Sequence, residues 1–159
     1  MGQSPTAKLI YGYDLDGSSE WKIEEVSEDG ELKLSWFSQD WDDEDAEERD
    51  FITEAEKRLL ASVGFTETDW RADGYFAREK EAAARLGVDF EWYAYEPGAV
   101  VLAAKVVEVD WGSIPVDLAA LTAEAAASDW DAKLDAACRA LDMTPTQERP
   151  GWLLCAQYG

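Results

Sequence analysis

The sequence predicts an α+β fold: a single domain over residues 1–159, with a mixed, mainly antiparallel sheet, a central hairpin at residues 88–109 and two pairs of helices. Three observations lead to this prediction. The middle of the chain carries a strand pattern, and amphipathic helical stripes occur in pairs before and after it. The chain has 159 residues, of which 47% are hydrophobic, which suffices for one sizeable core. No Pro- or Gly-rich linker divides it.

The central hairpin is the strongest strand signal. Its first arm alternates, with Val88, Phe90 and Trp92 on one face and acidic or tyrosine residues on the other. Its second arm, AVVLAAKVV at residues 99–107, is apolar on both faces, as expected for an interior strand covered on both sides. Between the arms, Pro97 and Gly98 suit the second and third positions of a type II turn.

The first third of the chain contains shorter strand signals. Residues 7–13 form an apolar strand that ends at the turn-forming residues 14–17. Residues 21–26 and 31–37 flank Asp29-Gly30, and this dipeptide between alternating segments predicts a hairpin.

Two helices follow before the central hairpin. The first ends at Gly64, and the second, over residues 72–86, ends at Gly87. Spacing predicts the inward side chains of both helices: Phe51, Ile52, Ala55, Leu59 and Val63 in the first, and Phe76, Ala83 and Leu86 in the second.

The last third predicts another helix pair and a strand. An Ala-rich helix covers residues 117–127, and Ser128 is the predicted N-cap of the next. Residues 152–158, WLLCAQY, predict a strand buried on both faces. The final helix has a predicted inward face of Trp130, Leu134, Ala137, Cys138 and Leu141.

Composition excludes several classes of function. The chain has no His, so the commonest general base, the usual catalytic triads and most zinc sites are excluded. Its net charge of −21 disfavours direct contact with nucleic acid or anionic membranes and favours a cationic partner. No apolar window is long enough to span a membrane, and the N-terminus lacks the apolar core of a signal peptide. With Cys138 and Cys155 predicted as buried thiols, the expected location is the cytoplasm. No cofactor or metal is predicted.

One alternative is enzymatic. Asp14-Leu15-Asp16-Gly17-Ser18, after an apolar strand, resembles the first motif of haloacid-dehalogenase-type phosphotransferases. This resemblance implies a magnesium-dependent phosphotransfer enzyme in which Asp14 is the nucleophile and Asp16 the acid/base. The segment departs from the motif, because Ser18 stands where Thr is usual and a hairpin signal follows. The other interpretation is a surface turn between two strands.

The most distinctive feature is an acidic run over residues 40–50, which holds eight carboxylates and one base, Arg49. It could simply be a solvated helix start, where carboxylates offset the positive end of the helix dipole. It could instead be a binding surface, because carboxylates four residues apart on a helix lie about 5–6 Å apart, comparable to the phosphate spacing of DNA. The predicted partner-binding residues are Asp40, Trp41, Asp42, Asp43, Glu44, Asp45, Glu47, Glu48 and Asp50.

From this run we predict a non-enzymatic interaction protein that binds a basic protein surface, such as that of a DNA-binding protein. A phage-derived DNA mimic is one form of that function. The first half of the chain should carry the surface, because residues 1–80 hold 22 acidic and 9 basic residues, against 13 and 5 in residues 81–159.

A third alternative follows from the eight Trp residues. Trp92, Trp130 and Trp152 fall on predicted apolar faces and are expected in the core. Trp41, Trp70 and Trp111 lie in loops or at element ends, so one or two of them could be exposed. Together these rings favour a small-ligand binder with an aromatic pocket between sheet and helices.

Four segments of the sequence resemble segments of other proteins. YGYDL at residues 11–15, AEKRLLASVGF at 55–65, RLGV at 85–88 and QERPGWLL at 147–154 resemble segments of small uncharacterised acidic proteins of streptomycetes and their phages. The resemblance implies an origin and no activity, so it assigns no functional residue.

Overall fold

The structure is a computed structural model, and it describes residues 5–17, 20–38, 51–95 and 98–158. The described elements form an α+β fold with two helix pairs, as predicted. In chain order they are β1 (Pro5–Asp16), α1 (Phe51–Ser62), α2 (Tyr75–Leu86), β2 (Asp89–Tyr95), β3 (Gly98–Val109), α3 (Leu118–Ala127), α4 (Trp130–Ala140) and β4 (Gly151–Tyr158).

The four strands form one sheet in the order β2-β3-β1-β4, and each of the three described pairings is antiparallel. The predicted interior position of the second hairpin arm is confirmed, because β3 lies between β2 and β1. The prediction that Gly98 is the third residue of the turn is wrong. Gly98 is the first residue of β3 and pairs with Tyr95, while Glu96 and Pro97 lie outside the described residues.

One face of the sheet carries the main core. Val100 and Leu102 of β3 are fully buried there, together with Val88 and Phe90. The predicted stripe of α1 is confirmed at four of its five positions, and that of α4 at all five, because spacings of three and four residues place these side chains on one helix face. The buried helix residues are Phe51, Ile52, Ala55, Leu59, Trp130, Leu134, Ala137, Cys138 and Leu141.

The predicted inward face of α2 is wrong at Phe76 and Ala83, whereas Leu86 packs against the main core as predicted. Phe76 is 66% exposed, Ala83 is exposed, and Ala82 is the one buried residue of this helix. The helix begins at Tyr75, after Gly74, and packs mainly against α1. Because so little of α2 is buried, the apolar character of Phe76 does not decide which face turns inward. Its ring packs edge-on against Tyr75 instead, with centroids 5.3 Å apart.

β4 is the second correction. It was predicted to be buried on both faces, but it pairs only with β1 in the sheet, and Leu154 is 82% exposed. An apolar strand sequence does not specify whether helices cover both of its faces, since that depends on elements distant in the chain.

The predicted hairpin over residues 21–37 forms only as isolated bridges. Its turn is present, and Val26 pairs with Leu32 across it. Ile23, however, pairs with Pro145, far along the chain, so the segment is divided between partners and builds no regular strands. The N-cap of α4 also differs, because Asp129 and not Ser128 occupies it.

The second face of the sheet is concave. Ile10, Val101 and Ala103 are buried there although the helix-side core lies on the opposite face. The outer strands β2 and β4 contact each other, and register shifts interrupt the β1–β3 pairing, so the sheet curls around this face. Gly12 lies at one shift, where an added Cβ would be 1.9 Å from the carbonyl oxygen of Leu102.

Lys8 lies inside this curl. It is 5% exposed, and its ammonium group donates to a Glu91 carboxylate oxygen at 2.7 Å and to the Trp92 carbonyl oxygen at 2.8 Å. Both acceptors belong to β2, which is separated from β1 by β3. The lysine therefore ties β1 to an outer strand across the concave face.

Candidate functional site

The described residues nearest to the predicted partner-binding run are Ser38, which is exposed, and Phe51, which is buried. Asp40, Trp41, Asp42, Asp43, Glu44, Asp45, Glu47, Glu48 and Asp50 themselves lie outside the described residues. Before the run, Ser38 forms a bridge with Lys33. After it, Phe51 opens α1 and is 7% exposed.

Phe51 is the centre of an aromatic cluster that also includes Trp21, Trp36, Phe37 and Phe90. Its ring centroid is 5.2 to 6.2 Å from those of the four partners. Phe37 and Phe51 are in contact at 5.6 Å between ring centroids, so the described residues on either side of the run lie together in the core. Pairs of this kind each contribute about 0.5–1.5 kcal/mol beyond the burial of their area.

Trp36 fixes this cluster to the rest of the protein. Its indole N–H donates to the carbonyl oxygen of Leu141 at 2.7 Å, which satisfies an acceptor at the end of α4. The guanidinium of Arg58, on α1, lies 5.1 Å from the centre of the Trp36 ring. Both flanks of the acidic run are therefore held by α1 and α4 together.

Asp14, the nucleophile that the phosphotransferase resemblance implies, has both carboxylate oxygens occupied. The Tyr93 hydroxyl donates to Oδ1 at 2.8 Å and the Lys22 ammonium to Oδ2 at 2.8 Å. The backbone N–H of Asp16 also donates to Oδ1, at 3.1 Å, and Gln147 accepts from the Asp14 backbone N–H. Ser18 lies outside the described residues.

These contacts also act on the partners of Asp14. Burial and the Asp14 hydrogen bond raise the pKa of Tyr93, so its hydroxyl stays protonated as a donor. The hydrogen bond to Asp14 raises the pKa of Lys22, which favours its charged form. Among residues 5–17, 20–38, 51–95 and 98–158, no group of three or more His, Cys, Asp or Glu is placed to hold a metal ion. The arrangement favours a structural role for Asp14, joining β1, β2 and the segment that carries Lys22.

A cleft of about 460 Å³ lies between α1, α2 and the adjoining parts of β2 and β3. Aliphatic side chains such as Leu60 and Leu86 line it, and no aromatic residue is in its lining. It differs in this from the aromatic pocket that the sequence suggested. Its charged lining residues are Glu56, Glu79, Asp89, Glu91 and Lys105.

The two cysteines differ in burial. Cys138 is buried as predicted, and this burial, with Asp135 nearby, raises the pKa of its thiol to about 12. Cys155 was also predicted to be buried, but it is only half-buried on the concave face. Burial is again the main cause that raises the pKa of its thiol. Neither thiol is activated as a nucleophile.

The tryptophans follow their predicted placement in part. Trp130 is in the core as predicted, but Trp92 and Trp152 are only half-buried: Trp92 packs against the core, and the Trp152 ring lies 6.0 Å from that of Trp130. Trp70 and Trp111 are exposed, the latter by 88%, and Trp41 lies outside the described residues. Sequence analysis did not select Lys8. The signal that could have found it is a basic residue within an otherwise apolar strand.

Comparisons with known proteins add no assignment to these sites. No protein-family model matches the chain, and no curated protein or solved structure matches it. Within the part of the chain that the structure describes, no helix is both long and apolar enough to cross a membrane.

Proposed function

We propose that this chain is a non-enzymatic interaction protein that binds a basic protein surface through the acidic run at residues 40–50. The observation that supports the proposal is a dense run of negative charge next to aromatic residues that are packed in the core. Eight carboxylates occupy this run, and the aromatic rings that flank it, Phe37 and Phe51, pack against each other in the core. A partner would therefore meet a concentrated negative charge in a segment whose flanking rings are packed in the core.

Electrostatics defines the partner. A net charge of −21 attracts cationic proteins over a distance of about 10 Å at 0.1 M salt, and it repels nucleic acid itself. The proposed partner is a cytoplasmic DNA-binding protein, whose basic surface is built to contact regularly spaced phosphates. On this proposal the run competes with DNA for that surface, as a DNA mimic does. The resemblance to proteins of streptomycetes and their phages suggests where to look for the partner.

The contacts of Asp14 support the non-enzymatic proposal over phosphotransfer. A carboxylate that already accepts hydrogen bonds on both oxygens, including one from a lysine ammonium, is a poor nucleophile. Asp14→Asn should consequently lower stability and leave capture of a basic partner unchanged.

Capture from a streptomycete lysate at 0.1 M and 1 M salt tests the proposal. The immobilised protein should retain basic DNA-binding proteins at the lower salt concentration, and duplex DNA should displace them. A variant with the eight carboxylates of residues 40–50 changed to Asn or Gln should lose this retention. The matched control changes eight exposed carboxylates elsewhere, including Glu28, Asp29, Glu81 and Glu148, so that its net charge is the same.

The control separates a local surface from overall charge. Retention by the control, together with loss in the run variant, supports residues 40–50 as the binding surface. Equal loss in both variants would show that only net charge matters, and retention that persists at 1 M salt would contradict an electrostatic surface.

The cleft between α1 and α2 favours a second candidate, the binding of a small ligand. Its aliphatic walls, with the carboxylates of Glu79 and Asp89, suit an alkyl chain that ends in an amine or guanidinium, and its volume is within the usual range for small-molecule sites. Titration with agmatine, followed by NMR shifts of the amides around Leu60 and Leu86, checks this candidate. Shifts confined to residues far from the cleft would exclude it.

A further inference from the structure

Six apolar side chains form two rows on the helix-side face of the sheet, beyond the part that the helices cover. The strand register pairs Leu9 with both Val107 and Leu154, and pairs Ala7 with both Val109 and Ala156. These side chains lie on the same face as Tyr11, because strand side chains alternate and Leu9 is two residues before it.

The helices cover this face of the sheet only as far as the row formed by Tyr11 and its strand partners, Lys105 and Trp152. The Tyr11 ring packs against Trp130 of α4, with centroids 5.3 Å apart. In the next row Leu154 is 82% exposed, and Ala7 and Ala156 in the row after it are exposed as well. We call these six residues the open rows: an uncharged continuation of the main core's sheet face, in which Ala7, Leu154 and Ala156 are exposed and Leu9, Val107 and Val109 are half-buried.

More exposed apolar residues follow directly after β3. The Thr6 hydroxyl donates to Asp110 at 2.9 Å, which places the start of this segment at the same end of the sheet as the open rows. Trp111 is 88% exposed, and the further exposed side chains, down to the start of α3, are Ile114, Val116 and Leu118.

α3 is itself largely uncovered. Its sequence is LAALTAEAAA, and only Leu121 is buried. Glu124, its single charged residue, forms an ion pair with Lys105 of β3 at 3.0 Å. This pair places α3 beside the Tyr11 row, because Lys105 pairs with Tyr11 in the sheet. Open rows, loop and helix therefore make up a largely apolar region, in which the loop carries two exposed carboxylates, Asp110 and Asp117.

We propose that this region is the interface for a second copy of the chain. Charge distribution selects this occupant. Two copies, each with a net charge of −21, repel each other through most orientations, but they approach most easily where each presents few charges, and the loop of this region holds only Asp110 and Asp117. A basic partner would gain little charge attraction here. The region thus serves a different contact from the acidic run, and the inference does not depend on the proposed function.

The size of the region fits such an interface. A standard interface buries about 800 Å² on each partner. A single exposed tryptophan such as Trp111 offers on the order of 200 Å², and six other exposed apolar side chains, three half-buried ones and one face of α3 contribute as well. A two-fold axis brings the same rows of both copies together, as self-complementary interfaces require.

The salt dependence of this dimer has a distinctive sign. Salt screens repulsion between the two acidic copies, so dimerisation should strengthen from 0.1 M to 1 M NaCl. Capture of a basic partner should weaken over the same range, so failure of one proposal is distinguishable from failure of the other. Neutralising residues 40–50 should strengthen the dimer at low salt.

Analytical ultracentrifugation of the full chain at both salt concentrations tests the proposal, with Leu154→Lys as the disrupting variant and Phe76→Lys as its control. Both positions are exposed, so neither substitution should impair folding, and both change net charge equally. Because each substitution acts twice in a two-fold dimer, Leu154→Lys should raise the dimer Kd by roughly 100-fold. Phe76→Lys should leave it unchanged.

Three outcomes would overturn the inference. The wild type could remain monomeric at 1 M NaCl at concentrations of about 100 µM. Dimerisation could weaken with salt, or Phe76→Lys could disrupt it as much as Leu154→Lys. A wild-type dimer that strengthens with salt and is lost only in Leu154→Lys supports it.

Discussion

The buried pair between Lys8 and Glu91 gives the sharpest test of the curled sheet. The Lys8 side chain is 6% exposed and the Glu91 side chain 28% exposed, with 2.7 Å between ammonium and carboxylate. Changing Glu91 to Gln keeps the shape and removes the negative charge that faces the buried ammonium of Lys8. Removal of one partner of a buried pair typically destabilises a protein by 3–5 kcal/mol, and the partial exposure of Glu91 favours the lower end, about 3 kcal/mol.

The reverse variant should be milder. Lys8→Met leaves a carboxylate that can turn toward solvent, and it leaves the Trp92 carbonyl without this donor. We expect a loss of about 1–2 kcal/mol from these two changes. The double variant, Lys8→Met with Glu91→Leu, buries no charge at either position, and it should recover most of the stability lost in Glu91→Gln.

Urea unfolding followed by tryptophan fluorescence measures all three free energies, because buried Trp130 and half-buried Trp92 report on the core. A loss below about 0.5 kcal/mol in Glu91→Gln, the level of ordinary surface substitutions, would refute the reasoning. It would mean that water reaches Lys8 and that β2 and β4 do not close the concave face.

Three further predictions concern the core. Leu134→Ala should lower the free energy of unfolding by about 2–5 kcal/mol because the side chain is fully buried, whereas Leu118→Ala on exposed α3 should change it by less than about 0.5 kcal/mol in the same urea titration. Gly12→Ala should destabilise the protein by about 3 kcal/mol or more, since the added Cβ would meet the Leu102 carbonyl. Gly151→Ala is the matched control, because Gly151 pairs with Gly12 and has open space where a Cβ would lie. Equal thermal stability of the two variants would contradict the close approach at Gly12. Burial raises the pKa of the Cys138 thiol in the folded state to about 12. The protonated thiol therefore makes its full contribution to the free energy of unfolding below pH 9. That contribution is lost as pH rises toward 12, by up to about 1.4 kcal/mol per pH unit. Cys138→Ala should flatten that part of the stability profile measured by chemical denaturation, and an unchanged slope would count against the assignment.

The sequence predicted those elements whose patterns were long and whose partners were nearby. The α4 stripe, from Trp130 to Leu141, was correct because five apolar positions at helical spacing leave one choice of face. The central hairpin was correct because its arms are adjacent and β3 is apolar on both sides. Both predictions depend on local periodicity alone.

The remaining features depend on contacts that periodicity does not encode. α2 has few apolar residues and lies at the periphery, so its inward face is set by α1. An apolar strand such as β4 has the same sequence pattern whether or not helices cover it. The Asp14 site requires Tyr93, 79 residues away, and the ion pair of Lys8 spans 83 residues. The acidic run was predicted as the binding surface, and it stays a prediction because it lies outside the described residues.

The sparse attachment of α3 has a consequence for dynamics. One buried leucine and one ion pair connect this helix to the body of the protein, apart from its packing on α4. Backbone amides in such an element exchange their hydrogens through local opening, at a free energy well below that of global unfolding. If a second copy covers the helix, its deuterium uptake becomes slower as the protein is concentrated, while uptake in α4 stays the same.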